Sequence, residues 1–336
     1  MRPTRAFLAA FALAGLLSHA AAQAPTCTGK NILDELERTD ADAHARILAI
    51  AAASGNAKAV LWRIEKSGMS PSHLFGTMHL TDERINALSP AVKSALSSSR
   101  RLVLELDDFS PDGFLKLLAG SPELVGLMLF TDGRRLDQVL GTDDYAMVRE
   151  ALARFGVPAD GAHVFRPWLA TMLLSVSWCE RQRMTAGLMP LDLQLAKQTE
   201  RRGIKAFGLE TLESQFRALA SVPESDQAEM LKAAARLYQR IDDFTETMVQ
   251  LYVGRDLGAI WPLQLALASK VGVDPRVFAS VEQSLLVARN LAMRDKALTH
   301  LEGGDAFVAV GALHLPGKHG LVTLLRQAGY TLTAVE

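Results

Sequence analysis

Leu74-Phe75-Gly76-Thr77-Met78-His79-Leu80 is an apolar run that meets a glycine, with a histidine three residues further on. The pattern returns near the other end as Ala309-Val310-Gly311-Ala312-Leu313-His314-Leu315. After each copy an apolar–polar segment leads into a second apolar run, which reads as strand, sharp turn, helix, strand. A strand reached through such a crossover usually returns parallel to the first, with right-handed connection. Groups at the carboxyl ends of parallel strands gather around one crevice. Two copies of the unit therefore place His79 and His314 face to face across a single cleft.

Working outward, Ala59 to Ile64 reads as a strand that pairs with His73 to Phe75 in a hairpin, ahead of the first glycine–histidine turn. Arg101 to Leu106 is a buried strand with Glu105 near its end. Ile204 to Glu210 is a short strand that also ends in a carboxylate, Asp305 to Gly311 is the strand of the second copy, and Tyr330 to Val335 is the last strand. Asp34 to Ala53 reads as one helix, and Asp82 caps another that runs through about Ser97 despite Pro90. The expected fold is α/β, with a central mixed or mostly parallel sheet built from two β-turn-α-β units and long helical insertions. Along the chain this gives a leader at 1–22, a helical extension at 23–58, and an α/β domain at 59–336 with helical inserts at 111–199 and 213–300.

Of the 336 residues 49% are hydrophobic and 22% charged, which suits a globular chain with a substantial core. A formal net charge of -1 speaks against nucleic acid or an anionic membrane surface as partner. Arg2 and Arg5 precede the apolar run Ala6 to Leu17, and Ala20-Ala21-Ala22 supplies small residues at a cleavage-site spacing, the pattern of a secretory signal peptide. Its apolar core is too short for a stable membrane span. The expectation is an exported protein, periplasmic or secreted, with no stable membrane insertion after cleavage. In an oxidising compartment Cys27 and Cys179, the two cysteines present, most simply form one disulfide.

His79, Glu105, Glu210 and His314 all sit where strands end. Imidazole with carboxylate suits a divalent transition metal such as zinc, manganese or cobalt, which lowers the pKa of a bound water and polarises a carbonyl. A glycine three residues before each histidine lets the turn pass close to metal or substrate. Taken singly, each residue has a plainer reading. A buried histidine is more often a hydrogen-bonded core residue, and a strand-end carboxylate often caps the next helix. Core packing does not, however, require the same turn twice. No G-x-S-x-G elbow, H-E-x-x-H helix or P-loop is present.

Gly76-Thr77-Met78-His79, Leu104-Glu105-Leu106-Asp107, Gly208-Leu209-Glu210-Thr211 and Gly311-Ala312-Leu313-His314-Leu315-Pro316-Gly317, in this order, resemble the TraB/PrgY/GumN family. That family is related to the TIKI proteins, which cleave peptides and depend on a divalent metal, and its fold resembles the erythromycin-esterase and ChaN group. The resemblance implies His79, His314 and Glu105 as metal ligands and Glu210 as a further ligand or general base. Arg289-Asn290 resembles the family's late Arg-Asn pair, implying that these residues bind or polarise substrate; a structural salt bridge is the competing role for the arginine. Where the family pattern leads one to expect an acidic residue, this chain has Gly317-Lys318-His319-Gly320, so His319 is read as a solvated helix-start residue. The function so implied is an exported metal-dependent hydrolase acting on a peptide or protein. The competitors are a metal-independent ester hydrolase with a histidine base, and a non-enzymatic binding module in envelope or exopolysaccharide processes.

Overall fold

In the computed structural model, which describes residues 26–106 and 111–336, the two quoted stretches lie side by side. β2 (Ser72–Thr77) and β5 (Ala306–Gly311) run parallel, with Thr77 level with Gly311. The leader 1–22 and Asp107 lie outside the described residues. β1 (Leu61–Glu65) forms the expected hairpin with β2, and β6 (Thr331–Ala334) pairs antiparallel with β1. On the other side β3 (Arg101–Leu106) pairs parallel with β5, and β4 (Ala206–Glu210) parallel with β3. The resulting sheet is mixed, in the order β4-β3-β5-β2-β1-β6 among the described residues.

This order decides where a site can form. The first β-α-β unit travels from β2 toward β3 and the second from β5 toward β6, in opposite directions along the sheet. Since β2 and β5 are neighbours, each connection leaves past the other's strand, which right-handed crossovers do on opposite faces of the sheet, and the carboxyl ends of the two strands open on the crevice between them. The central strands are apolar at their middles: Leu74, Leu102, Val103 and Phe307 to Val310 are all 0–1% accessible. Such residues, buried by helices on both faces, hold the sheet rigid beneath the site.

Two helices differ from the sequence expectation. The Asp34–Ala53 segment is two helices, Ile32–Thr39 and Ala41–Ala53, because the Asp40 carboxylate accepts from the Ala43 N–H and starts the second. The segment after Asp82 also splits, into Glu83–Asn86 and Pro90–Ser98. Pro90 starts a helix there rather than interrupting one: it lacks the N–H that a first-turn residue has no use for, and Ser89 caps the turn.

The insertions are helical as expected, from Pro111–Gly120 to Leu191–Glu200 between β3 and β4, and from Leu212–Ser221 to Ala288–Leu301 between β4 and β5. They bury a cluster of their own around Leu136, Leu152, Leu174 and Leu231. Among the described residues no helix is long and apolar enough to cross a membrane. Cys27 and Cys179 form a disulfide across a sequence separation of 152 residues, tying the N-terminal extension to helix Trp178–Thr185 of the first insert. Closing so long a loop restricts the unfolded chain, so a Cys27→Ser/Cys179→Ser protein is expected to lose about 2–5 kcal/mol of stability, measured as a lower urea midpoint with a slope equal to or steeper than that of the wild type, since the freed unfolded chain exposes more surface.

Candidate active site

Each strand on the β4-β3-β5-β2 side delivers one polar group to the carboxyl edge. His79 lies two residues beyond β2, Glu105 is the fifth residue of β3, Glu210 ends β4, and His314 closes a 3-10 turn, Ala312–His314, directly after β5. The structure brings all four together with Arg289 and Asn290 from helix Ala288–Leu301. The two histidines are not equivalent, because Thr77 rather than Gly76 is level with Gly311. That one-residue offset leaves the His79 side chain 54% accessible in the cleft and His314 only 5%.

Glu105 is the centre. Its Oε2 accepts the Gly311 N–H at 3.0 Å and faces His79 Nε2 at 3.9 Å and His314 Nε2 at 4.0 Å. Its Oε1 accepts from Gln215 Nε2 at 2.8 Å and from the Arg289 guanidinium. Arg289 also grips Glu210, its Nε donating to both carboxylate oxygens at 3.1 Å. Asn290 serves His314: its Nδ2 donates to the His319 carbonyl at 2.8 Å, which orients Oδ1 to accept from His314 Nδ1 at 2.6 Å. The proton therefore sits on Nδ1 and the Nε2 lone pair faces Glu105. Glu210, expected as a further ligand or general base, and Asn290, expected to bind substrate, thus make their contacts with other protein groups, while Arg289 lines the cleft and holds the two glutamates as well.

Sequence reasoning missed Asp192. It lies in the first turn of helix Leu191–Glu200, is 1% accessible, and accepts from His79 Nδ1 at 2.6 Å and Thr77 Oγ1 at 2.7 Å. An acid in a first helical turn is an ordinary dipole partner, so no local signal separates it from Glu180 or Glu213. Gln215 was missed for a similar reason, a polar residue one turn into helix Leu212–Ser221.

The charges follow from this wiring. Burial pushes His314 down, with Arg289 and His79 adding to it against the opposing pull of Glu105, to about 4, so its imidazole is neutral at pH 7. Burial also works against protonation of His79, but the charge and hydrogen bond of Asp192, helped by Glu105, carry it up to about 9. The half-open ring lets water screen part of that attraction. Burial opposes ionisation of Glu105 as well, yet His314, Arg289, His79 and the Gly311 N–H hold it down to about 2. Since His314 is itself neutral near pH 7, Arg289 is the lasting partner.

The donor set suits a divalent metal in its chemistry, with room left between the donors. Both imidazoles have Nδ1 anchored to an oxygen and Nε2 turned inward, the usual support for metal-binding histidines. Gly311 has φ −51°, which any residue adopts, so its lack of a side chain answers a need for room. A Cβ there would stand 3.3 Å from Glu105 Oε2, 3.4 Å from the His314 ring and 3.7 Å from His79 Nε2, in the hollow between the three donors. Among the described residues no three such groups are drawn tightly enough to enclose an ion as they stand. Tetrahedral ligands at about 2.1 Å from a metal stand roughly 3.4 Å apart, so the side chains would close by about half an ångström. Gly76 has a different reason: a Cβ would meet Leu315 Cδ1 at 2.6 Å, so it lets the second copy's turn pack against the first strand.

The model of the TraB/PrgY/gumN family matches residues 60–334. This chain belongs to that family. It is also similar to Metalloprotease TIKI2 of Danio rerio, 25% identical over 315 residues, and to Metalloprotease TIKI2 of Xenopus tropicalis, 25% identical over 316. Each alignment covers 80% of this chain, but 60% and 58% of the respective relative, so the chain spans about three-fifths of their length. No solved structure matches. In this member of the family the His79 turn is braced from behind by ion pairs. Asp82 accepts from the Arg84 N–H and Nε at 2.9 Å and from Arg183 Nη1 at 3.1 Å, and Arg84 reaches Glu246 at 2.7 Å.

Burial works against ionisation of Asp82, but its hydrogen bonds to Arg84 and Arg183 hold the carboxyl down to about 2. A depressed folded pKa stabilises fully above the unfolded value and is lost as pH falls through the folded one. Asp82→Asn is therefore expected to cost about 1–2 kcal/mol at pH 7, discounted because Arg84 is half exposed. It should also flatten the decline of stability between about pH 4 and 2, measured by urea unfolding across a pH series.

Proposed function

We propose that the chain is an exported hydrolase that uses one divalent metal ion, held by His79, His314 and Glu105, to cleave a peptide bond. The observation that carries this is the inward aim of two imidazole Nε2 atoms on one carboxylate oxygen, each with its Nδ1 anchored, around a hollow that Gly311 keeps open. The family membership and the similarity to proteins named metalloproteases support the same chemistry. Manganese, cobalt and zinc all suit two nitrogens and an oxygen. The disulfide supports an oxidising, extracytoplasmic compartment.

A bound ion would supply Lewis acidity toward the scissile carbonyl and a water of lowered pKa. The remaining work belongs to the chain. Asp192 accepts the His79 Nδ1 proton, fixing the tautomer and the ring plane, and Asn290 does the same for His314 without adding charge. Arg289 keeps Glu105 ionised and points its Oε2 inward; Glu210, with both oxygens on that arginine, acts as a positioning residue rather than as the base.

One observation favours a second reading. Asp192 and His79 form a hydrogen-bonded acid–imidazole pair whose Nε2 opens on the cleft; with its pKa raised to about 9 the ring carries a proton at pH 7, so it becomes a metal-free general base only as pH rises toward that value. Metal titration separates the two. Wild-type protein is expected to bind one manganese, cobalt or zinc ion, and His79→Ala/His314→Ala to lose that binding along with peptide turnover. Full turnover after exhaustive chelation would transfer the reaction to the His79–Asp192 pair. Gly311→Ala offers a finer check, because it fills the hollow without straining the backbone. Metal affinity should fall at least about tenfold while the urea midpoint stays close to wild type.

A further inference from the structure

The cleft has two unlike walls. One is the polar strand edge with His79, Glu105, Arg289 and His314; the other comes from the second helical insert, with Phe244, Met248, Trp261, Leu285 and Leu286. Together they enclose about 420 Å³. Beside the apolar wall lies a second, smaller cavity of about 150 Å³, and Ser175, Phe244 and Gln264 line both spaces. Its apolar wall is made by Leu174, Ala234, Leu237, Leu267 and Phe278, and it is half open rather than sealed, with Ala234 and Leu237 partly exposed.

From this geometry we infer that the smaller cavity is the specificity subsite for a large apolar side chain, aromatic or branched aliphatic, next to the bond that is cleaved. The inference rests on the peptidase reading above. Size is the first reason: an apolar protein cavity of about 150 Å³ accepts benzene, so this chamber has room for a benzyl or isobutyl group and is larger than an alanine methyl can fill. Charge is the second. The ionised group on its lining, Arg240, is already paired with Glu35 at 3.0 Å and with Asp243 at 3.1 Å, so nothing there calls for a charged substrate side chain. Position is the third. Phe244 and Gln264 belong to both spaces, so a backbone whose carbonyl faces the polar wall has its neighbouring side chain directed at their doorway. Ser175 and Gln264 at that doorway offer polar atoms suited to the substrate's backbone, while the chamber behind them is built for hydrocarbon.

The test uses capped pentapeptides that differ at one residue, Ala, Leu, Phe or Asp. Binding is measured by calorimetry to the His79→Ala protein, and turnover by mass spectrometry with manganese-loaded wild type. The Phe and Leu peptides are expected to bind more tightly than the Ala peptide by at least about tenfold, with Asp weakest. Ala234→Phe, which fills the chamber from its own wall, should bring the Phe-to-Ala ratio toward one, and Ala234→Leu should do so in part. The smaller variant keeps the test in force should the larger one not fold. If wild type cleaves nothing but the binding order and its collapse in the Ala234 variants hold, the peptidase reading fails while the subsite stands. Cleavage or binding without preference among the four, a preference for Asp, or a Phe-to-Ala ratio unchanged in both Ala234 variants would overturn the subsite, as would no binding of any peptide.

Discussion

One buried carboxylate, that of Glu105, holds the candidate site in register. Its two oxygens gather the Gly311 N–H from β5, the Arg289 guanidinium from the last long helix, Gln215 from the helix after β4, and the two imidazoles that face it. Burying an ionised carboxylate costs several kcal/mol unless its lone pairs are met, and here the partners come from four separate parts of the chain. Each is thereby drawn to the same point. The arrangement also explains why Glu210 is present: one glutamate beside a buried arginine would leave part of the guanidinium unmet, and the second carboxylate completes it. Removing any one member leaves an uncompensated charge, so truncations at Glu105 or Arg289 confuse stability with activity, whereas Gly311 and Asp192 report on geometry more cleanly.

The sheet order makes that gathering possible. Neighbouring parallel strands whose connections leave in opposite directions open a crevice at their carboxyl ends, and β2 and β5 are such a pair. The one-residue offset between the copies gives the crevice an inside and an outside. His314 is buried, neutral and held by an uncharged amide; His79 is accessible and held by a carboxylate. A repeated motif has thus produced two different histidines from one sequence pattern.

What was legible in the sequence is what local pattern controls. Strands β2, β3 and β5 each carry a short apolar run, Leu74-Phe75, Leu102 to Leu104 and Ala306 to Val310, and both glycine–histidine turns stand out because a repeat has no reason to arise from packing alone. Cys27 and Cys179 had no other partner to choose. The separate roles of Gly76 and Gly311 were not legible, since both precede a histidine by three residues and only the tertiary neighbours differ. Asp192 and Gln215 were hidden because their importance depends on which helix the inserts lay against the strand edge, and spacing along the chain carries no trace of that. Asn290 was visible as a motif residue, but its hydrogen bonds to His314 and to the His319 carbonyl were not.

The helical inserts do more than cover the sheet. Between helices Pro275–Glu282 and Ala288–Leu301 the chain makes a π turn, Gln283–Val287, an irregularity that recurs at functional sites. Leu285 and Leu286 of this turn face the cleft, and the Leu285 carbonyl accepts from Arg289 Nη1 at 3.3 Å. The next residue along, Asn290, holds His314. The Leu285–Leu286 edge of the apolar wall and the groups that orient the polar wall therefore lie close together on one continuous stretch of backbone. Pressure on Leu285 or Leu286 from a bound side chain reaches Arg289 and Asn290 through a single turn of helix, with no intervening loop to absorb it.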